Sequence, residues 1–294
     1  MERLLKYNYQ DFMIFFTFFL IWLSVQFGEI VEDSIAYILV VSVGILHGAN
    51  DLLILSKMED GKSSFIRNLL IYIGIIALCA LIYFLNPFVA IVLFILLSAY
   101  HFGEEHFGEN LHQGPVFDFL FFTSYGLLLF SLLFYLSQDD VAVIMNQLAG
   151  KTFTETQILA TLFSTGILVF GLAGYVILAK KETSVNFGRE LFYLLVLLVV
   201  FNTSSLVLSF AIYFIFWHSI PSIIHQTKFI SGDIDNNALL FYVKKAAVFW
   251  GISIVGLVVL YFLFPKATDL ASVVFAILFA VTAPHTWVMY QMKN

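Results

Sequence analysis

The stretch Gly44-Ile45-Leu46-His47-Gly48-Ala49-Asn50-Asp51 puts an imidazole, an amide and a carboxylate inside an oily run from Ser34 to Leu55. Such groups bind metal ions or carry protons. Inside an apolar run long enough to cross a bilayer they are costly unless an interior partner meets them. His47 and Asp51 are therefore site candidates. Three other oily runs are interrupted in the same way: at His101 in Tyr100-His101-Phe102-Gly103-Glu104-Glu105-His106, at His218 in Phe216-Trp217-His218-Ser219-Ile220-Pro221-Ser222-Ile223-Ile224-His225, and at His285 after Pro284. Four neutral imidazoles at one level of a helical bundle would make an all-nitrogen metal site.

Whether they share a level depends on the elements that carry them. Of 294 residues, 61% are hydrophobic and 12% charged, and the mean hydropathy is +0.95. That composition predicts an all-α, polytopic transmembrane helical bundle forming a single integral membrane domain over residues 1–294. The apolar segments number ten: 11–28, 34–56, 66–85, 87–107, 116–136, 157–179, 189–202, 205–227, 240–264 and 269–291. The seventh is short, and Asn202-Thr203-Ser204-Ser205 is read as the tight turn that ends it. No small-x-small cleavage pattern follows the first run, so it counts as a span rather than a signal peptide. The connection 137–156 has room for a short interfacial helix.

With the N-terminus cytoplasmic, the inner loops hold twelve of the fourteen Lys and Arg residues, and the outer loops only Lys151 and Lys266. The positive-inside rule thus supports ten spans, that orientation, and a multi-pass protein of the cell inner membrane. Net charge of −6 without a basic patch excludes nucleic acid as a partner. The single cysteine, Cys79, rules out disulfides and thiolate clusters.

In this topology spans two, four, eight and ten run in the same direction. His47 is the fourteenth residue of its span, His101 the fifteenth, His218 the fourteenth and His285 the seventeenth. At about 1.5 Å per residue the four rings fall in one thin layer. A lone histidine there would be a packing residue bonded to a neighbour's carbonyl; four at one depth favour a metal. Imidazole ligands and an oily pocket suit Fe(2+) better than structural zinc.

The context adds supporting roles. Gly44 and Gly48 let another helix approach beside His47. Asp51, one turn after His47, and Glu105, one turn after His101, are candidates to orient ligand rings from behind. His225 lies seven residues after His218, about 10 Å along a straight helix. It reaches the same ion only if Pro221 kinks the helix. The fourth ligand is thus His285 by depth or His225 by a kink. His106 faces away from His101 and His112 sits in a loop, so neither is a ligand candidate.

The motifs His-Gly-Ala-Asn-Asp at 47–51, His-Phe-Gly at 101–103, Trp-His-Ser at 217–219 and Pro-His at 284–285 together resemble the Brp/Blh family. These are membrane β-carotene 15,15′-dioxygenases associated with microbial rhodopsins. The resemblance implies O₂-dependent cleavage of β-carotene at its central double bond, two all-trans-retinal molecules as product, and a ferrous centre. It assigns the family's motif histidines to His47, His101 and His218. Members often carry two histidines four apart after the Trp-His-Ser motif; here the second position is Ser222.

The residues suit such a substrate. A stiff apolar polyene would come from the lipid bilayer, and a bundle with 34 Phe and 14 Tyr can provide a slot for it. Tyr100 and Trp217, each adjacent to a proposed ligand, are candidates to line that slot. An opsin is excluded because every lysine lies in a loop or at a helix end. A di-iron hydroxylase or desaturase would need about eight histidines in close boxes, and only His101/His106 resembles one. A metal or proton transporter would continue polar residues toward both faces, whereas the outer halves of the four histidine spans are nearly all apolar.

Overall fold

The computed structural model describes residues 2–58, 62–263 and 270–293. Among them the chain is helical with no strand. The helices are α1 (Glu2–Phe27), α2 (Glu29–Leu39), α3 (Ile45–Gly48), α4 (Asp51–Met58), α5 (Lys62–Leu85), α6 (Pro87–Phe107), α7 (Pro115–Leu136), α8 (Gln138–Ala149), α9 (Glu155–Leu178), α10 (Phe187–Thr203), α11 (Leu206–Ile212), α12 (Ile220–Ser231), α13 (Asn236–Leu263) and α14 (Leu270–Lys293). π-helical turns, Val40–Gly44 and Tyr213–Ser219, join α2 to α3 and α11 to α12.

These elements map onto the ten apolar segments, and the chain is an all-α polytopic bundle. Eight helices among the described residues are long and apolar enough to cross a membrane. The seventh segment forms the 17-residue α10, and the tenth forms α14. The connection before α14, with Lys266, lies outside the described residues. The expected turn after α10 is present and is held by acids from α2. Glu32 accepts from the Ser205 backbone N–H at 2.6 Å, and the Ser205 hydroxyl donates to Asp33 at 3.2 Å. Ser205 in turn caps α11 by accepting from Leu208 N. The connection after α7 contains the short helix α8, whose Val141, Met145 and Leu148 are buried against the bundle.

Helix ends follow local chemistry. Asn86 caps α6 with Pro87 at its first turn, and Thr154 and Gln157 form a reciprocal capping box on α9. Gly28 separates α1 from α2 at φ 77°, a conformation that costs glycine little. α6 and α7 meet backbone to backbone. A Cβ on Gly103 would lie 2.1 Å from the Phe122 carbonyl oxygen, and one on Gly126 2.1 Å from that of Ala99. The glycine of His101-Phe102-Gly103 thus sets how closely α7 supports the helix that carries His101.

Two apolar cores result. The larger includes Phe94, Phe102, Phe130, Leu133 and Phe214; the smaller includes Ile54, Leu55, Ile223, Val288 and Met289. Every one of those five smaller-core residues follows the histidine of its own span. The histidines lie where the two cores meet.

Candidate metal centre

The second span is not one continuous helix. The Val40–Gly44 π turn precedes His47, and the chain turns again at Ala49 and Asn50 before α4. That interruption frees backbone groups, and α13 meets them. The Asn50 side chain donates to the Tyr242 carbonyl at 3.0 Å. The Tyr242 hydroxyl lies 3.1 Å from the His47 carbonyl and 2.8 Å from Gln226 Oε1. The second π turn contains His218 within it. A wider turn redirects side chains without breaking the helix, and such turns recur at functional sites. The expected distortion of span eight is present, but it precedes Pro221, which sits in the first turn of α12.

The four histidines expected at one depth form a closed ring of imidazoles. Ring centroids are 4.5 Å apart for His47–His285, 5.2 Å for His101–His285, 4.8 Å for His101–His218 and 5.4 Å for His47–His218. Each pair meets edge to face, and all four side chains are buried. Ligand nitrogens of His47, His101 and His285 all lie within 4.8 Å of one another.

Hydrogen bonding fixes which nitrogens are available. His47 Nδ1 donates to the Gly44 carbonyl at 2.7 Å, leaving Nε2 as a lone pair. His285 Nδ1 donates to Asp51 Oδ1 at 2.8 Å, leaving its Nε2 likewise, while Tyr72 donates to Asp51 Oδ2 at 3.0 Å. Among the described residues neither ring nitrogen of His101 or His218 has a partner, nor does Nε2 of His47 or His285. Buried polar atoms are nearly always satisfied. Six orphan imidazole nitrogens in one layer fit a bound metal, with His47, His101 and His285 the three whose ligand atoms come together and His218 beside them, outside that group. Imidazole ligands backed by a carboxylate or a carbonyl are the usual arrangement around such ions.

Asp51, read from the sequence as a residue to orient a ligand ring, hydrogen-bonds the His285 ring on α14. The Gly-x-x-x-Gly pair serves two helices rather than one. A Cβ on Gly44 would lie 2.8 Å from the Phe214 ring, and one on Gly48 3.7 Å from His285 Nδ1. Gly44 thereby leaves room for Phe214, whose ring packs against both His47 and His218.

Other sequence candidates lie outside the ring. His225 Nδ1 donates to Glu105 Oε1 at 2.7 Å, so Glu105 engages His225, not His101. Glu105 also pairs with Lys293 at 3.0 Å. His106 sits 2.6 Å from Glu190 on α10. Trp217 and Tyr100 turn away from the histidines. The Trp217 indole donates to Thr17 at 3.2 Å and meets Tyr193 at its edge. It lines a separate cavity of about 330 Å³ together with Glu105 and His225. Tyr100 donates to Glu104 at 3.0 Å and packs on Phe119. Aromatic rings that do touch the site include Phe102, 4.6 Å from His218, and Phe214. Phe102 is the middle residue of the His-Phe-Gly motif, a signal that could have found it, whereas nothing in a Phe-rich sequence separates Phe214 from other phenylalanines.

An apolar cavity of about 170 Å³ lies along the same helices. Val40, Phe94 and Leu278 in its wall precede His47, His101 and His285 by seven residues, and Phe210 precedes His218 by eight. On a helix that places the wall about 10 Å from the histidine layer on the same face. Val141, Ile144, Met145 and Leu148 of α8 line the cavity too, and its walls include no charged residue.

A sequence model of the β-carotene 15,15′-dioxygenase family matches residues 38–293, from the end of α2 to the end of α14. The chain belongs to that family. The match takes in all four histidines, Asp51 and every residue of the cavity wall but Tyr37, and places the chain among the carotenoid dioxygenases, a class of oxidoreductases. No curated protein and no solved structure matches the chain.

Proposed function

We propose that His47, His101, His218 and His285 hold a ferrous ion at which β-carotene is cleaved by O₂ at its 15,15′ double bond. The central C=C and the O=O bond break and two C=O bonds form, so each carotenoid gives two all-trans-retinal molecules and no reductant is consumed. The observation that carries the reading is the ring of four buried histidines with six unpartnered nitrogens and, about 10 Å along the same helices, an apolar cavity, in a chain of this family. Bound iron supplies open positions for O₂ activation.

The chain's own residues supply the rest. Gly44 and Asp51 fix the tautomers of His47 and His285, so their Nε2 lone pairs face the interior. Phe102 and Phe214 cover the His218 ring and keep water from the reacting double bond. The cavity gives the polyene an environment as apolar as the bilayer from which it comes. No side chain has to move a proton in this reaction, in keeping with a ring free of carboxylate ligands. Retinal released into the membrane would serve as the chromophore of a rhodopsin there. His106 and His225 each face a carboxylate, which weighs against the larger histidine set of a di-iron hydroxylase.

Expression in a β-carotene-accumulating bacterium tests the proposal. Orange cells should pale and retinal should appear under oxygen, and a His47→Ala variant should leave the carotenoid intact. Equal retinal from wild type and variant would overturn the assignment.

A further inference from the structure

A close-packed core holds few voids larger than a water molecule. Yet two adjoin one another here, with a third void no larger than a water beside them, and Phe130 of α7 lines all three. The first, about 260 Å³, lies between α6, α7 and α9, and Leu96 and Gln157 bring it to the exposed side of the bundle. The second is the 170 Å³ cavity in register with the histidines; Ile95, Phe130 and Phe134 are common to both. The third is a void of about 10 Å³ bounded by Phe102 and Tyr213, and it shares Phe130, Leu133 and Phe210 with the second. The Phe130 ring is buried and stacks on Phe102 at 5.6 Å and 17°. Phe102 in turn packs against His218 at 4.6 Å.

We infer that Phe130 is the gate and register residue for the polyene. The carotenoid enters sideways between α6, α7 and α9 and passes the Phe130 ring into the inner cavity. The closed ring then sets which double bond lies at the histidine layer. This rests on the carotenoid-cleaving reading above. The geometry favours it because Phe130, with Ile95 and Phe134, forms the wall that the two cavities share. The same ring touches Phe102, which packs on a histidine. An apolar partition also suits an apolar guest, since no polar group is stranded when it swings aside.

The test uses the full-length protein in β-carotene-containing cells and then in detergent, with Phe130→Trp to block the passage and Phe130→Ala to open it. Phe130→Trp should lower retinal formation by about tenfold or more at unchanged iron content, as expected when a polyene is kept from its near-attack position. Phe130→Ala should still cleave but yield paired longer and shorter apocarotenals alongside retinal. Phe130→Leu, which keeps most of the volume, should restore retinal as the main product. A purely structural role would lower yield without shifting the site of cleavage. Retinal as the sole product of an iron-loaded Phe130→Ala enzyme would overturn the gate. A wild type that makes no retinal while Phe130 variants bind iron normally would instead overturn the functional reading beneath it.

Discussion

Asp51 is the residue whose position changes most between sequence and structure. It sits one turn from His47 but its carboxylate holds His285 Nδ1 and accepts from Tyr72, so it joins the second, third and tenth apolar segments. Removing its charge leaves the ring in place while weakening the donor's basicity. Asp51→Asn should lower metal affinity by about 10- to 100-fold, read as iron content against a chelator series. Iron held as tightly as in wild type would mean that Asp51 is only a packing group. The two candidates for the fourth ligand separate in the same assay. His285→Ala should purify with little iron, whereas His225→Ala should keep it, because His225 is engaged by Glu105 outside the ring. The reverse pattern would move the fourth corner of the site to α12.

At the scale of elements, the α6–α7 contact is the support on which His101 depends. With the Phe122 carbonyl 2.1 Å from where a Cβ would stand, Gly103→Ala must force the helices apart. A cost of about 1–3 kcal/mol or more is expected for such overpacking. It should appear as a lower melting temperature in detergent together with lost iron, and an unchanged melting curve would contradict this packing. The helices themselves were legible in the sequence because hydropathy alone delimits them. The histidine layer was legible because four segments run the same way with a ring near the same position. The π turns were not, since a choice between one hydrogen-bond register and the next is made by the packing of neighbouring helices. Tyr100 and Trp217 miss the site for a simple reason: a residue next to a ligand on a helix points about 100° away from it. Phe102 is equally adjacent to His101, yet it reaches the site because the helix bearing His218 lies on its side.

For the whole molecule, function depends on which way the bundle sits. The apolar cavity lies toward the ends at which α6, α11 and α14 begin, and α8 covers it there. The charge bias of the loops predicts that this end faces away from the cytoplasm in a cell inner membrane. Reporter fusions after Ser56, Asn110, Lys181 and Gly232 should report a cytoplasmic location, and fusions after Gly150 and Thr203 the opposite side. A cytoplasmic reporter at Thr203 would show that α10, at 17 residues, does not cross, leaving six passes rather than seven before span eight and reversing that span's direction.

The π turns also carry a consequence for how this chain tolerates length changes. Each turn accommodates a residue that an ordinary helix of the same reach would omit. Deleting one residue within Val40–Gly44 would let the segment close as an α-helix while its C-terminal half keeps its facing, whereas deleting one from the regular turns of α6 ahead of His101 would rotate the rest of that helix by about 100°. His47 would stay near the ring in the first case and His101 would leave it in the second, although both segments would remain as oily and as helical as before. In alignment terms, a single gap is tolerated in a π turn and damaging in the straight helix beside it.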